Sequence, residues 1–83
     1  MTTWNRNVSM RALRAFHAAS KHQSFRAAAD ELFLTASAVS HQIKQLESAM
    51  GARLFDRGPR KLKLTEAGRA FADDLAPILE DLD

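Results

Sequence analysis

Residues 24–51 read SFRAAADELFLTASAVSHQIKQLESAMG and contain two helical patterns separated by a short break. The first pattern begins at Ser24, whose hydroxyl can accept a hydrogen bond from the first turn of a helix. Three consecutive alanines at 27–29 favour helix and let another helix approach closely. The pattern predicts a helix of about eight residues that ends near Leu32 or Phe33.

The second pattern, between Thr35 and Gly51, is the clearest in the chain. Thr35 can act as its N-cap and Gly51 as its C-cap. Apolar residues recur at i, i+4, i+7 and i+11, namely Val39, Ile43, Leu46 and Met50. The other faces carry polar and basic side chains, namely Ser37, Ser40, His41, Lys44 and Gln45. This spacing predicts a longer amphipathic helix with one buried and one exposed face.

The flanking segments add a helix before this unit and a β-hairpin after it. Residues 9–21 carry apolar side chains at helical spacing, with Ser9 as the cap. Residues 56–59 have turn chemistry, and residues 60–64 alternate polar and apolar, which predicts a short hairpin with a basic tip. The predicted core contains Leu13, Phe16, Val39, Ile43, Leu46, Leu54 and Phe55.

A last amphipathic helix follows Thr65, which can cap it. Its apolar stripe repeats at i, i+4, i+7 and i+11 and is a surface for helix pairing, namely Phe71, Leu75, Ile78 and Leu82. Pro77 lies inside this pattern and predicts a kink, or a join near Ala76. The pattern stops at Asp83 without a C-cap, so we expect the helix to continue. We therefore predict two units, residues 1–64 and residues 65–83.

Composition limits the protein to a few classes. Its 83 residues fit one small domain, and a hydrophobic fraction of 46 % is typical of a globular chain. The absence of cysteine excludes disulfides and thiolate-bound metals. No apolar run approaches the ~20 residues of a membrane span. The N-terminus has no signal-peptide pattern, so we expect a cytoplasmic protein that does not enter a membrane.

Charge is distributed unevenly along the chain. Residues 1–64 carry 11 Lys/Arg against 4 Asp/Glu, whereas residues 65–83 carry 1 against 6. A basic body followed by an acidic tail favours an anionic partner for the body, with nucleic acid as the first candidate. A solvated surface with no partner is the simpler alternative.

The predicted elements together form a winged helix-turn-helix, a mainly α fold of three helices and a β-hairpin wing. The second helix of such a motif fits the major groove of double-stranded DNA, and its N-terminus favours phosphate. The candidate DNA contacts are Arg26, Thr35, Ser37, Ser40, His41, Lys44, Arg57, Arg60 and Lys61. Thr35 has a competing role as a helix cap, and each of the others could be a plain exposed residue.

The chain resembles the N-terminal domain of LysR-type transcriptional regulators from about Met10 to Asp83. The resemblance rests on residues 24–57 and on LKLTEAG at 62–68, and it includes the pair Leu46-Glu47. Val-Ser-His-Gln-Ile at 39–43 resembles the branch that contains glycine-cleavage and β-lactamase regulators. The resemblance implies a winged helix-turn-helix followed by a linker helix, which pairs antiparallel with that of a second chain. It also implies a C-terminal effector domain outside this chain, and hence no small-molecule site within it.

The chain departs from this family at positions that affect base recognition. Ala36 and Ser37 stand where the family often has Gln and Pro. Ala36 can touch a thymine methyl but cannot make the bidentate adenine contact of Gln. Arg26-Ala27 stands where the family commonly has a Thr-Arg pair, so we expect a phosphate contact to be displaced by one residue. The base preference of relatives is therefore not transferable to this chain.

The sequence gives less support to two other functional classes. Catalysis has little support, because Ser40 and His41 are adjacent and diverge on a helix, and no carboxylate completes a metal set with His17 and His22. No cofactor loop is present either. A protein-interaction module is the alternative, in which the apolar stripe after Thr65 pairs helices and the basic face is solvated.

Overall fold

The computed structural model of the protein describes residues 8–58 and 62–82, with side chains described up to residue 80. The described elements are α1 (Met10–His22), α2 (Phe25–Leu32), α3 (Ala36–Met50), β1 (Phe55–Arg57), β2 (Leu62–Leu64) and α4 (Glu66–Leu82). The fold is mainly α with a two-stranded antiparallel hairpin, which confirms the predicted fold class. None of the helices in these segments is both long and apolar enough to cross a membrane.

Side-chain caps start the first three helices where the sequence predicted them. The hydroxyls of Ser9, Ser24 and Thr35 each accept a hydrogen bond from the backbone N–H three residues later, at 3.0, 3.1 and 3.0 Å. The three helices end on residues in the left-handed conformation, namely Gln23, Phe33 and Gly51. These sharp ends keep the connections short, so α2 and α3 follow one another with a tight turn.

The core is centred on Phe16 of α1, which is fully buried. Its ring lies 5.4 Å from that of Phe55 and 5.1 Å from that of Phe71, measured between centroids, so α1 joins the hairpin and α4. The seven predicted core residues are all at most 3 % exposed, namely Leu13, Phe16, Val39, Ile43, Leu46, Leu54 and Phe55. The buried face of α3 is therefore the predicted one.

The hairpin is fixed at its base to the start of α4. Phe55 pairs with Leu64 and Arg57 with Leu62 in the antiparallel register. The Thr65 N–H donates to the Leu54 carbonyl at 3.0 Å, and the Thr65 hydroxyl donates to the Arg53 carbonyl at 2.6 Å. The same hydroxyl oxygen accepts from the Gly68 N–H at 3.0 Å, so Thr65 caps α4 as predicted. The connection between the strands, residues 59–61, lies outside the described residues.

Helix α4 differs from its prediction at its apolar stripe. It runs as one helix through Pro77, so of the two predicted outcomes, a kink or a join near Ala76, the join does not occur; Pro77 is exposed and removes one backbone hydrogen bond that a helix would otherwise make. Phe71 and Leu75, predicted to form a pairing surface, are 7 % and 0 % exposed and belong to the core of the domain itself. That prediction was wrong for these two residues, because α1 and the hairpin already cover them. Ile78 is 48 % exposed, and the Leu82 side chain lies outside the described part.

A surface cluster joins the end of α1 to the end of α2 and gives a pH prediction. The Glu31 carboxylate lies 2.6 Å from His22 Nε2 and 3.2 Å from Lys21 Nζ. The hydrogen bond with His22 lowers the pKa of Glu31 from its ordinary value, and the hydrogen bond and charge of Lys21 add to this. Since the pKa is lower in the folded state, the stabilisation is present near neutral pH and is lost as the pH falls through that lowered pKa.

We expect Glu31→Gln to destabilise the domain near pH 7 by no more than about 1 kcal/mol, because the cluster is exposed and screened by solvent. The difference between variant and wild type should shrink as the pH falls through the lowered pKa of Glu31. Urea unfolding at several pH values measures it. In 1 M salt the difference should also shrink, and a difference that persists unchanged at low pH would contradict an ionic origin.

Candidate nucleic-acid interface

Helix α3 presents a continuous polar face opposite its buried one. Val39, Ile43 and Leu46 are buried against the core. The side chains on the other side are exposed, apart from Ser40, which is half-buried; they are Ala36, Ser37, Ser40, His41 and Lys44. The structure thus brings five of the predicted contact residues together on one helix face. On this face the first turn of α3 carries only the small side chains of Ala36 and Ser37, so a large partner surface can approach that end of the helix.

The N-terminus of α3 is the part of this face best suited to an anion. The Thr35 hydroxyl accepts from the Ala38 N–H at 3.0 Å, which leaves its own hydrogen available to donate outward. The first backbone amides of a helix have no partners inside the helix, and the helix dipole adds positive potential there. Capping and phosphate contact are therefore compatible at Thr35, which is exposed.

Arg26 lies on a different element, in the first turn of α2, where its side chain is exposed. Helix α2 packs against both α1 and α3, and its buried residues are Ala28 and Ala29. The three alanines predicted to allow close approach therefore include the two that are buried. Arg26 is thus an exposed cation at the start of α2, and its contact with a phosphate stays a prediction.

Of the three contact residues predicted on the hairpin, the structure describes only Arg57. Arg60 and Lys61 lie outside the described residues, so their role stays a prediction. Arg57 was expected at an exposed basic tip, but it occupies the last position of β1, with its side chain 28 % exposed. Its Nη2 lies 3.3 Å from Glu47 Oε1, and its guanidinium packs over the Phe25 ring at 5.4 Å. The structure therefore contradicts the expected exposed position of Arg57.

Sequence reasoning missed Glu47 as a structural group. This residue is 8 % exposed near the end of α3, and it appears in the sequence only as part of a family pattern. Its Oε2 accepts from the backbone N–H groups of Leu54 and Phe55, at 2.8 and 3.2 Å. One available signal was its position four residues after Ile43, on the edge of the apolar face.

A second missed feature is the aromatic ring in the turn between α2 and α3. Phe33 has a φ of 59°, which is unusual for a residue other than glycine, and its side chain is 94 % exposed. The sequence predicted the helix end at this position but gave no sign that the ring would point away from the core. The ring therefore lies on the surface two residues before Thr35.

Known proteins with similar sequences match most of the chain. Residues 10–69 match the family model for the bacterial regulatory helix-turn-helix protein, lysR family. The "Glycine cleavage system transcriptional activator" of Escherichia coli K12 is 51 % identical over 73 residues, which cover 88 % of this chain and 24 % of that protein. The "HTH-type transcriptional activator AmpR" of Pseudomonas aeruginosa is 48 % identical over 75 residues, covering 90 % of this chain and 24 % of that protein.

Two solved structures extend the comparison to three dimensions. The DNA-binding domain of BenM in complex with catB site 1 DNA has a TM-score of 0.85 and 37 % identity, covering 90 % of this chain and 84 % of that one. The CbnR DNA-binding domain in complex with DNA has a TM-score of 0.81 and 35 % identity, covering 87 % and 83 %.

The chain spans about a quarter of the length of the curated relatives it matches. A glycine-cleavage regulator is among those relatives, which agrees with the branch that residues 39–43 resemble. The match to the family model covers most of the chain, including α1, the helix-turn-helix and the hairpin. The protein therefore belongs to the lysR family of bacterial regulatory helix-turn-helix proteins.

Proposed function

We propose that this domain binds double-stranded DNA in a sequence-specific manner, as a dimer, for the regulation of transcription. The observation that carries the proposal is α3, whose apolar face is buried while a polar and basic face lies open. A helix with such a face fits the major groove, where base edges present donors and acceptors. The lysR family membership and the DNA complexes among the similar structures support the same function.

The side chains of α3 divide into base readers and phosphate contacts. Ser37, Ser40 and His41 have hydrogen-bonding groups that suit base edges, and Ala36 suits a thymine methyl. Lys44, Arg26 and the N-terminal end at Thr35 suit phosphates, which fix the register of the helix on the duplex. Arg60 and Lys61 would add contacts from the wing, to a phosphate row or to a narrow minor groove.

A dimer would place two α3 helices on one face of the duplex, at half-sites ~34 Å or a multiple apart. Since the core already uses Phe71 and Leu75, we propose that a second copy packs on the exposed flank of α4 around Ile78. Asp74 lies four residues and Ala67 eleven residues before Ile78, so both are on the same flank of α4, and both are exposed. Leu82 would extend this surface.

We expect Ile78→Glu to raise the dissociation constant of the dimer more than tenfold, because it places a carboxylate in each copy of the apolar contact. Sedimentation equilibrium at several concentrations measures it. Asp73→Asn is the matched control, since Asp73 is exposed and lies about 140° around the α4 axis from Ile78. A variant that dimerises as well as the wild type would exclude this flank as the interface.

The length comparison supports a role for α4 beyond the domain. We propose that α4 is the beginning of a linker helix that leads to an effector-binding domain outside this chain, with the small-molecule site there. The predicted division at residue 64 then separates two functions and not two folded units, because α4 packs in the core as far as Leu79. As the ligand is genomic DNA, the protein would act in the cytoplasm.

The proposal is tested by selection from a pool of random-sequence duplexes, followed by sedimentation of the bound species. Recovery of an inverted repeat bound by two chains per duplex is the expected result. It would also show which bases Ala36 and His41 select. A dimer that enriches no sequence would contradict the proposal and favour helix pairing as the role of this chain.

A further inference from the structure

A buried carboxylate connects the end of α3 to the start of the wing. Both oxygens of Glu47 are engaged, Oε2 by the N–H groups of Leu54 and Phe55, and Oε1 by Arg57 Nη2. Glu47 is 8 % exposed, so its carboxylate has little contact with water and is stabilised mainly by these donors. The hydrogen bonds span seven to ten residues of chain, and they fix the first residues of β1 relative to α3.

The cation that completes this cluster also contacts α2. The Arg57 guanidinium lies 5.4 Å from the centroid of the Phe25 ring, which itself meets the Phe55 ring edge-on at 5.6 Å. Arg57 Nε is buried and has no hydrogen-bond partner among the described residues. The side chain therefore lies between the first residue of α2, the end of α3 and strand β1.

We infer that Arg57 is a positioning residue for the wing and not a DNA contact, an inference that rests on the proposed function. For Arg57 to reach a phosphate, its guanidinium would have to leave Glu47 and the Phe25 ring. The Glu47 charge would then be buried with one fewer partner, which opposes the movement. Held in place, Arg57 and Glu47 set the direction in which β1 leaves α3, and so where the wing presents Arg60 and Lys61.

Glu47→Gln separates the two roles of Arg57 by the sign of its effect. An amide keeps an oxygen for the backbone N–H groups but loses the charge that holds Arg57. If Arg57 contacted DNA, releasing it and removing a negative charge would raise the affinity for the selected duplex. As a positioning pair, we expect the variant to lose affinity by roughly tenfold, about what one lost arginine contact causes, although its net charge becomes more positive.

A double-mutant cycle shows whether the loss acts through the wing. Arg60→Ala should weaken binding by roughly tenfold in the wild-type background, but by less than about threefold when Glu47 is already Gln, because the wing is then misplaced. Lys44→Gln on α3 is the matched control and should weaken both backgrounds equally. A loss that came only from a less stable fold would leave the Arg60 effect unchanged, and thermal unfolding checks that each variant is folded at the assay temperature.

If Glu47→Gln does not remain folded, Arg57→Gln gives the second measurement. Its affinity should fall, and Arg60→Ala in this background should weaken binding by less than about threefold, whereas an independent DNA contact at Arg57 would leave the Arg60 effect at roughly tenfold. Raised affinity for Glu47→Gln, or additive effects of either variant with Arg60→Ala, would overturn the inference. A wild-type domain that bound no duplex would instead overturn the proposed function, and the inference with it.

Discussion

Gly68→Ala is expected to remove a large part of the stability of the domain. A Cβ at this position would lie 2.0 Å from the Leu54 carbonyl oxygen and 2.9 Å from the Leu54 carbonyl carbon. These are backbone atoms, and the Leu54 carbonyl is itself fixed by the Thr65 N–H at 3.0 Å, so neither side can move alone. Relief of the overlap requires the start of α4 to separate from the chain that enters the wing.

We expect a loss of about 3 kcal/mol or more, at the upper end of what overpacking costs. A domain of this size has about 4 to 12 kcal/mol in total, so the melting temperature should fall by well over 10 °C. Thermal unfolding followed by circular dichroism measures it. The domain offers a matched control in Gly51→Ala, where no atom lies within 4 Å of the added Cβ and only the φ of +69° opposes the change. That variant should lose about 1 kcal/mol. Equal losses in the two variants would show that the contact with Leu54 is not limiting.

Helix starts were the part of the fold that the sequence predicted best. Ser9, Ser24 and Thr35 stand directly before apolar residues at helical spacing, and the hydroxyl of each caps the predicted helix. A cap and a period are local features, so a single sequence contains both. The same reasoning predicted the buried and open faces of α3, which is the main part of the candidate interface.

Contacts between distant residues were not predictable in the same way. The α4 stripe has the period of a helix face, but period alone does not say whether the face meets its own domain or a second copy. Leu79 at 2 % exposure, and not Ile78, continues the buried face of Phe71 and Leu75. Leu79 follows Leu75 by four residues, as Leu75 follows Phe71, so Phe71 and Leu79 both lie within about 40° of Leu75 around the helix, whereas Ile78 lies about 60° from it, since 3.6 residues make one turn.

Arg57 shows the same limit at the level of the site. In the sequence, Arg57 lies in a turn rich in basic residues, and such a turn is typical of an exposed wing tip. Its actual partner is ten residues earlier, on another element, and reaches it only because the chain reverses after Gly51. Glu47 lies at the edge of the apolar stripe of α3, and helical period alone shows neither that it is buried nor which residue pairs with it.

The affinity for the selected duplex is expected to fall roughly 10⁴-fold between about 50 and 200 mM salt. Four cations per chain are proposed to contact DNA or to stand close to it, namely Arg26, Lys44, Arg60 and Lys61. A pair of chains then makes about eight contacts, and each releases condensed counterions, so the slope of log affinity against log salt should be about −7. Arg57 is not counted, because its charge is balanced by Glu47.

The slope can be assigned to particular side chains by paired lysine variants. Lys44→Gln removes one cation from each chain and should reduce the magnitude of the slope by about 2 for the dimer. Lys21→Gln makes the same chemical change in an exposed lysine that is paired with Glu31, and it should leave the slope unchanged. Titration by fluorescence anisotropy at four or more salt concentrations gives both values. A slope near zero in the wild type would mean that the open face of α3 does not meet phosphates, and equal effects of the two lysine variants would mean that only the total charge matters.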